Sequence, residues 1–195
     1  MTGITSKRQQ EIIESAGKLL IEKGIKGLTT KNLAQEMAFS ESALYRHFKN
    51  KEDIILLLLE YLGNNIKERL NLIVNNNETS IEKLNKLFQS QFHFFSENPH
   101  FVVAILSEGL LDESEKINQS IMKIIHFKMQ LISSIIDVGK KNNEFIDDVN
   151  TQDIVHILMG SFRMMILKWK FSKFEIDLLD KGNNIMNSTI KIISK

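Results

Sequence analysis

The chain predicts an all-α fold of about nine helices, and three observations carry that expectation. Apolar residues recur at helical rather than alternating spacing in nearly every segment. Proline occurs once and glycine nine times in 195 residues, so long helices are barely interrupted. No stretch carries a strand pattern, an internal repeat or a low-complexity tract.

The elements follow in order. Ile12, Ala16, Leu19 and Leu20 make one face of a first helix that ends near Gly24. Thr29 or Thr30 caps a short second helix carrying Leu33, Ala34 and Met37. Ser40 caps a third, through about His47, whose Leu44 and Phe48 join Leu33 and Met37 in the core. Asn50 with Asp53 opens a long apolar fourth helix. Asn75 to Thr79 is a polar break, and Thr79 with Glu82 is a capping box that starts a fifth helix. At Asn98-Pro99 the chain stops and restarts, with proline at a first helical position and a sixth helix to about Leu111. About Ser114 to Lys141 is one long seventh helix, with Lys140 and Lys141 suited to its C-terminal dipole. Thr151 to about Phe171 is an eighth. Ser172 with Glu175 reads as another capping box, opening a ninth that runs nearly to the end.

A hydrophobic content of 43% is enough for a buried core in one or two domains. The absence of cysteine excludes disulfides and thiolate metal sites and fits a reducing compartment. The longest apolar run, Ile54 to Leu59, falls far short of the ~20 residues of a membrane span. The opening MTGITSKRQQEII lacks the apolar core of a signal peptide, so the expectation is a soluble cytoplasmic protein with no membrane partner. The net charge of +1 hides an asymmetry: residues 1–51 hold nine Lys/Arg against five Glu, a basic excess suited to a polyanion. No G-x-G-x-x-G, P-loop or H-E-x-x-H occurs, and His93 with Glu97 at i, i+4 supplies only two potential ligands. No catalytic residue, metal or cofactor is assigned, and an enzyme is not expected.

The stretch from Thr30 to Ile54, TKNLAQEMAFSESALYRHFKNKEDI, reads as two short helices joined by a tight turn and then the start of a third. Its polar and aromatic residues are spaced as DNA contacts would be. The segment from about Lys7 to Leu62 resembles the DNA-binding domain of the TetR family of tetracycline-repressor-like regulators. The resemblance is carried by IIESAGKLLIEKG, the Thr29-Thr30 start, Leu33-Ala34, Ser40, Leu44-Tyr45-Arg46-His47-Phe48 and Lys51-Glu52. It covers the first third of the chain closely, and beyond that only helix number and lengths agree. It implies a helix-turn-helix DNA-binding domain at residues 1–50 and a helical effector-binding and dimerisation domain at 51–195. Three positions depart from the pattern. Ala38 stands where the family has a turn glycine, so the turn must tolerate a Cβ or change its backbone. Glu41 replaces a basic or neutral residue, and Ser42 a residue that is often glycine.

A recognition helix brings its N-terminal residues to base edges. Here those are Glu41, Ser42 and Ala43, behind the cap Ser40. Glu41 can accept from cytosine N4, Ser42 can bond several bases, and the Ala43 methyl can touch thymine. Thr30, Lys31, Tyr45, Arg46, His47, Lys49 and Lys51 are candidates for phosphates, which set register rather than sequence. For Lys51 the start of the fourth helix adds backbone N–H groups. Alternatives stand beside these: Glu41 as a favourable charge at a helix start, His47 as a packing residue, Tyr45 as core.

In the C-terminal part, Phe92, Phe95, Phe101, Ile105, Met122 and Phe127 could line an apolar pocket, together with Phe88 and Met129. His126 and Arg163, and also His93 and Glu108, are the polar candidates for orienting a ligand. Ordinary core packing is the alternative. The resemblance further implies that the last two helices pair with their mates as a four-helix bundle. The candidate stripes are Leu158, Phe162, Met165, Ile166 and Trp169 on the eighth and Ile185, Met186, Thr189, Ile190 and Ile193 on the ninth. Gly160, Ser161 and Gly182 would permit close approach, and packing inside the monomer is again the alternative. A homodimer with recognition helices ~34–36 Å apart would read a palindromic operator. The expected function is a homodimeric repressor released by a small apolar or amphipathic effector. An activator, or an architectural DNA-binding protein that needs no ligand, is the alternative.

Overall fold

A computed structural model describes residues 7–106 and 114–195. Among these residues there are nine α-helices and no strand: α1 (Lys7–Gly27), α2 (Thr30–Glu36), α3 (Glu41–Tyr45), α4 (Lys51–Val74), α5 (Ser80–Glu97), α6 (Pro99–Ile105), α7 (Glu115–Lys141), α8 (Thr151–Phe171) and α9 (Leu178–Ile193). The all-α architecture and the order of elements agree with the sequence reading. The expected run of α6 to Leu111, and the candidate Glu108, lie outside the described residues.

Local side-chain chemistry sets most of the boundaries. At α5, Thr79 Oγ1 accepts from Glu82 N at 3.2 Å and Glu82 reaches back to Thr79 N at 2.9 Å, the reciprocal bonds of a capping box. The bonds that the Glu82 carboxylate accepts from Thr79 N and from Thr79 Oγ1 hold it below its ordinary pKa. At α4, Asn50 accepts from Asp53 N at 3.1 Å, while Asp53 accepts from Lys49 N at 2.7 Å. Pro99 opens α6, where its missing N–H costs nothing.

Three boundaries differ from expectation. Helical bonding in α1 runs on to Gly27, but across a break at Gly24 (φ 64°, ψ −170°), a conformation open to glycine and closed to a residue with a Cβ. α3 stops at Tyr45, two residues earlier than expected. The largest difference is at α9. Ser172 and Glu175 do not open it; Ser172 closes α8 instead. Phe174 N donates to Trp169 O at 2.9 Å and Lys173 N to Lys170 O at 3.0 Å. These are the paired bonds of a Schellman ending, here built without glycine on Lys173 (φ 54°) and Phe174 (φ 69°). The start of α9 passes to Asp177, whose carboxylate accepts from Asp180 N at 2.9 Å.

The chain divides into two compact units. The first holds the described residues up to Asn65 and those between Asn98 and Lys123. In it α1 packs on α2 and α6, over buried Ile12, Ala16, Leu19, Leu20, Leu33 and Leu44. α1 crosses α6 at Gly17, where an added Cβ would lie 2.9 Å from the His100 imidazole. The second unit holds Ile66–Glu97 and the chain from Ile124 onward. There α9 packs on both α5 and α8. Gly182 admits the Phe92 ring, which would stand 2.8 Å from a Cβ at that position. The chain end is tied down by Ile146 N to Ile193 O and Lys195 N to Glu144 O, each 3.0 Å.

Candidate nucleic-acid interface and effector domain

Two short helices and a four-residue connection place the polar residues of the motif. Thr29 caps α2, accepting from Asn32 N at 3.1 Å, and Asn32 Nδ2 donates to Gly27 O at 2.8 Å, joining the end of α1 to the start of α2. Lys18 on α1 donates to Glu36 on α2 at 2.6 Å, which raises the lysine pKa. After α2 the chain turns through Ala38 at φ 53°. Phe39 N donates to Ala34 O at 2.8 Å and Ala38 N to Gln35 O at 3.1 Å. This is the Schellman geometry that favours glycine, and the turn keeps it with a Cβ present. Of the two resolutions open to this position, the backbone is retained and the strain accepted. Ala38→Gly should therefore stabilise the protein by about 0.5–1 kcal/mol, the left-handed penalty less the greater freedom of glycine in the unfolded chain. Urea denaturation checks it; a loss of stability would mean that the turn is not strained. Arg8, at the start of α1, places its guanidinium 3.8 Å from the centroid of the Phe39 ring in this turn.

Ser40 then caps α3, accepting from Ala43 N at 3.2 Å, with its hydroxyl 3.1 Å from that of Ser42. Lys31, Glu41, Ser42, Tyr45, Arg46, His47 and Lys49 are exposed, and Ala43 and Lys51 half-buried. Leu44 and Phe48 face the core as expected, whereas Met37 is only half-buried. Tyr45, at 50% exposure, is a surface residue and not core. Thr30 departs from its expected part: it is buried, and its hydroxyl donates to Tyr45 Oη at 3.1 Å. It can hold the phenol in place, but it presents little surface to a phosphate. His47 lies 6.5 Å from the Phe48 ring with its own ring open to solvent.

His100, on α6 of the same unit, is half-buried, and its Nε2 is enclosed without a hydrogen-bond partner. Burial lowers its pKa to about 4. Between about pH 6.5 and 4 the unfolded chain binds a proton that the folded chain refuses, so stability falls as pH drops through that window. Allowing for partial exposure, the loss should be about 2 kcal/mol. Urea melts at pH 7 and pH 5 measure it, and His100→Gln should flatten the difference.

The eight candidate pocket residues divide between the two units. Phe101, Ile105 and Met122 belong to the first unit; Phe92, Phe95, His126, Phe127 and Arg163 belong to the second. Phe92, Phe95 and Phe101 are buried, Ile105 and Phe127 half-buried, and Met122, His126 and Arg163 exposed. The polar candidates thus point outward, because the helical register turns their neighbours inward. His93 and Glu97 face each other at 3.5 Å on the exposed side of α5. The buried polar residues of the second unit are Ser80, Thr189 and two larger ones that the sequence reading passed over, Gln91 and Lys128. Each shows the same signal: Gln91 sits between Phe88 and Phe95 on the apolar face of α5, and Lys128 continues the face of Ile121, Ile132 and Ile135 on α7. A polar residue at a core position is the pattern that marks them.

The stripe assigned to a partner also changes register. Leu158, Met165, Trp169, Met186, Thr189, Ile190 and Ile193 are all buried inside their own chain; of the eight residues assigned, Ile185 alone is exposed, at 44%. A buried side chain has no surface to offer a second copy. The outward apolar residues of α8 and α9 are Ile157, Met164, Phe171, Leu179, Ile185 and Ile192. A groove of about 710 Å³ runs among Gly160, Ser161, Met164, Met165, Lys168, Ile176, Lys181 and Ile185. Gly160 faces it with no atom within 4 Å of an added Cβ.

No helix among the described residues is long and apolar enough to cross a membrane. Comparison with known proteins places the chain. Residues 12–58 match the family profile described as bacterial regulatory proteins, tetR family, and residues 59–192 match the profile of the YsiA-like protein C-terminal region. The uncharacterized HTH-type transcriptional regulator YerO of Bacillus subtilis is 25% identical over 185 residues, 90% of this chain and 64% of YerO. The nucleoid occlusion factor SlmA of Shewanella halifaxensis is 28% identical over 141 residues, 70% of this chain and 72% of SlmA. Among solved structures, the transcriptional regulator FadR of Bacillus subtilis in complex with stearoyl-CoA is similar with a TM-score of 0.82 at 19% identity, covering 94% of this chain and 98% of that one. The fatty acid degradation regulator FadR of Bacillus halodurans gives 0.84 at 16% identity, covering 95% of each chain. The all-α fold agrees with these matches, and the chain belongs to the TetR family of bacterial transcriptional regulators, with a helix-turn-helix DNA-binding domain and a YsiA-like C-terminal region.

Proposed function

We propose that the protein is a homodimeric repressor that reads a palindromic operator and is released by a small amphipathic effector bound in its second unit. The observation that carries the DNA-binding half is α3, which is capped by Ser40 and exposes Glu41, Ser42, Tyr45, Arg46 and His47 together. Glu41, Ser42 and Ala43 address base edges in the major groove, and Lys31, Tyr45, Arg46, His47, Lys49 and Lys51 address phosphates. Thr30 acts through Tyr45. One short recognition helix binds weakly, so a second copy is required, and the exposed apolar side of α8 and α9 is where it docks.

Release follows if the effector binds better to a conformation in which the two recognition helices are wrongly spaced. Its differential affinity then moves the population off the operator. The structural likeness to a regulator solved with stearoyl-CoA supports an effector with an apolar portion. The similarity to proteins named nucleoid occlusion factors keeps a second reading in the experiment, namely DNA binding that ignores any ligand.

Selection of bound sequences from a random DNA pool, at stated salt, is the test. A palindromic motif supports the reading; salt-sensitive binding without a motif counts against it. With the motif in hand, Lys51→Ala and Tyr45→Phe should weaken all sequences alike. Glu41→Ala should change preference at one base pair, by about 1–3 kcal/mol. Uniform weakening by Glu41→Ala would remove Glu41 from the base contacts.

A further inference from the structure

The second unit buries the Lys128 ammonium with no negative partner among the described residues. Lys128 on α7 is only 5% exposed, and its ammonium lies 4.2 Å from the centroid of the Phe162 ring on α8. No hydrogen bond or ion pair joins it to another described residue. The charge that bears on it most is a like one, from Arg69 on α4. Arg69 donates to Ser90 O at 2.8 Å and to Ser90 Oγ at 2.6 Å, and its guanidinium lies 4.7 Å from the Phe94 ring centroid. Beside Ser90 on α5 is Gln91, wholly buried, with neither its Nε2 nor its Oε1 hydrogen-bonded. The aromatic side chains that share its face of α5, Phe88 and Phe95, and the adjacent Phe92, pack on that same Phe162 ring, with centroids 5.7, 6.3 and 5.1 Å away.

Buried polar groups are normally paired, and buried cations almost always are. A cation on an aromatic face and an amide Nε2 without an acceptor lack the same thing, an anion able to accept hydrogen bonds. A carboxylate can accept from both Lys128 Nζ and Gln91 Nε2, leaving Gln91 Oε1 to a donor such as a water. The surrounding phenylalanines suit an apolar body attached to it.

We propose that the second unit binds an amphipathic carboxylate, its head group held by Lys128 and Gln91 and its apolar body lying among Phe88, Phe92, Phe95 and Phe162. This rests on the effector-responsive reading above and gives that effector its chemistry. Burial, and then the Arg69 charge, lower the Lys128 pKa to about 7, so the interior holds the ammonium poorly until an anion joins it. Lys128→Met keeps the length and apolar stem of the side chain while deleting the charge. It should melt at or above the wild-type temperature, because the residue removed is a buried ion with no counter-ion.

The test is calorimetric titration of the full chain at pH 7 with dodecanoate, with 2-naphthoate and with methyl dodecanoate. One carboxylate or both should bind at least tenfold more tightly than the neutral ester, and whichever binds defines the apolar body as chain or ring. Lys128→Met should erase that preference, and Gln91→Leu should reduce it severalfold, while both variants melt cooperatively. Equal binding of the ester, no carboxylate binding up to 1 mM, or a preference unchanged in folded Lys128→Met overturns the proposal; an adventitious water satisfying Gln91 would give the second of these. Operator selection run in parallel separates the two levels. A palindromic motif without carboxylate binding removes only the anchor, whereas no motif removes the repressor reading itself.

Discussion

Met164→Glu should turn the protein into a monomer and lower operator affinity by about 10²–10⁴. Met164 is 56% exposed on α8, beside the groove formed with α9, so its replacement costs the single chain little. At a symmetric face the change is made twice, and two carboxylates would be driven toward one another out of water. Each recognition helix then binds alone, without the effective concentration that a mate supplies. Sedimentation measures the mass and a gel-shift titration the affinity. A dimer that survives Met164→Glu would place the interface elsewhere. A monomer that still binds the full palindrome tightly would refute the two-helix account of affinity.

Phe162→Ala should destabilise the protein by about 3–5 kcal/mol, the range for truncating a buried phenylalanine. Phe162 is 6% exposed and its ring contacts Phe88, Phe92 and Phe95, with Lys128 over its face. Truncation removes the apolar burial, opens a cavity between α5 and α8, and strips the lysine of its aromatic neighbour. Against a total stability of about 5–15 kcal/mol the protein would stand near its limit. Urea denaturation with an unchanged m-value is the expected readout; a loss below about 1 kcal/mol would show that this cluster is not the core of the unit. Phe162→Leu should cost distinctly less.

The two predictions concern residues on one helix that the sequence alone could not tell apart. Phe162, Met164 and Met165 are all apolar, and an eighth helix bearing them was legible from spacing. Which of them packs inside the chain and which faces outward was not. The stripe of Leu158, Met165 and Trp169 assigned to a partner is buried within the chain; an intramolecular stripe and an intermolecular one have the same composition. Burial sorts them only when α5 and α9 are in place. The glycines behave alike in this respect: Gly182 accommodates Phe92 within the chain, while Gly160 opens outward.

What the sequence by itself determined is the local chemistry. Ser40 caps α3, Thr79 and Glu82 bond reciprocally, Pro99 restarts the chain, and the Tyr45-to-Phe48 block marks the family. Each is decided within four residues, so nearby side chains suffice. Where two local solutions competed, the outcome required context. Ser172 with Glu175 had the spacing of a capping box, yet Ser172 went to the end of α8 because Phe174 and Lys173 accept positive φ there and bond back to Trp169 and Lys170. Ala38 likewise keeps a glycine conformation because two bonds to α2 hold it. Only the tertiary structure decided that Lys128 and Gln91 lie inside, that Thr30 supports Tyr45, and that Met164 and Ile185 face out. The physical reason is range: a cap or a turn is settled by neighbours along the chain, whereas burial is settled by helices dozens of residues away.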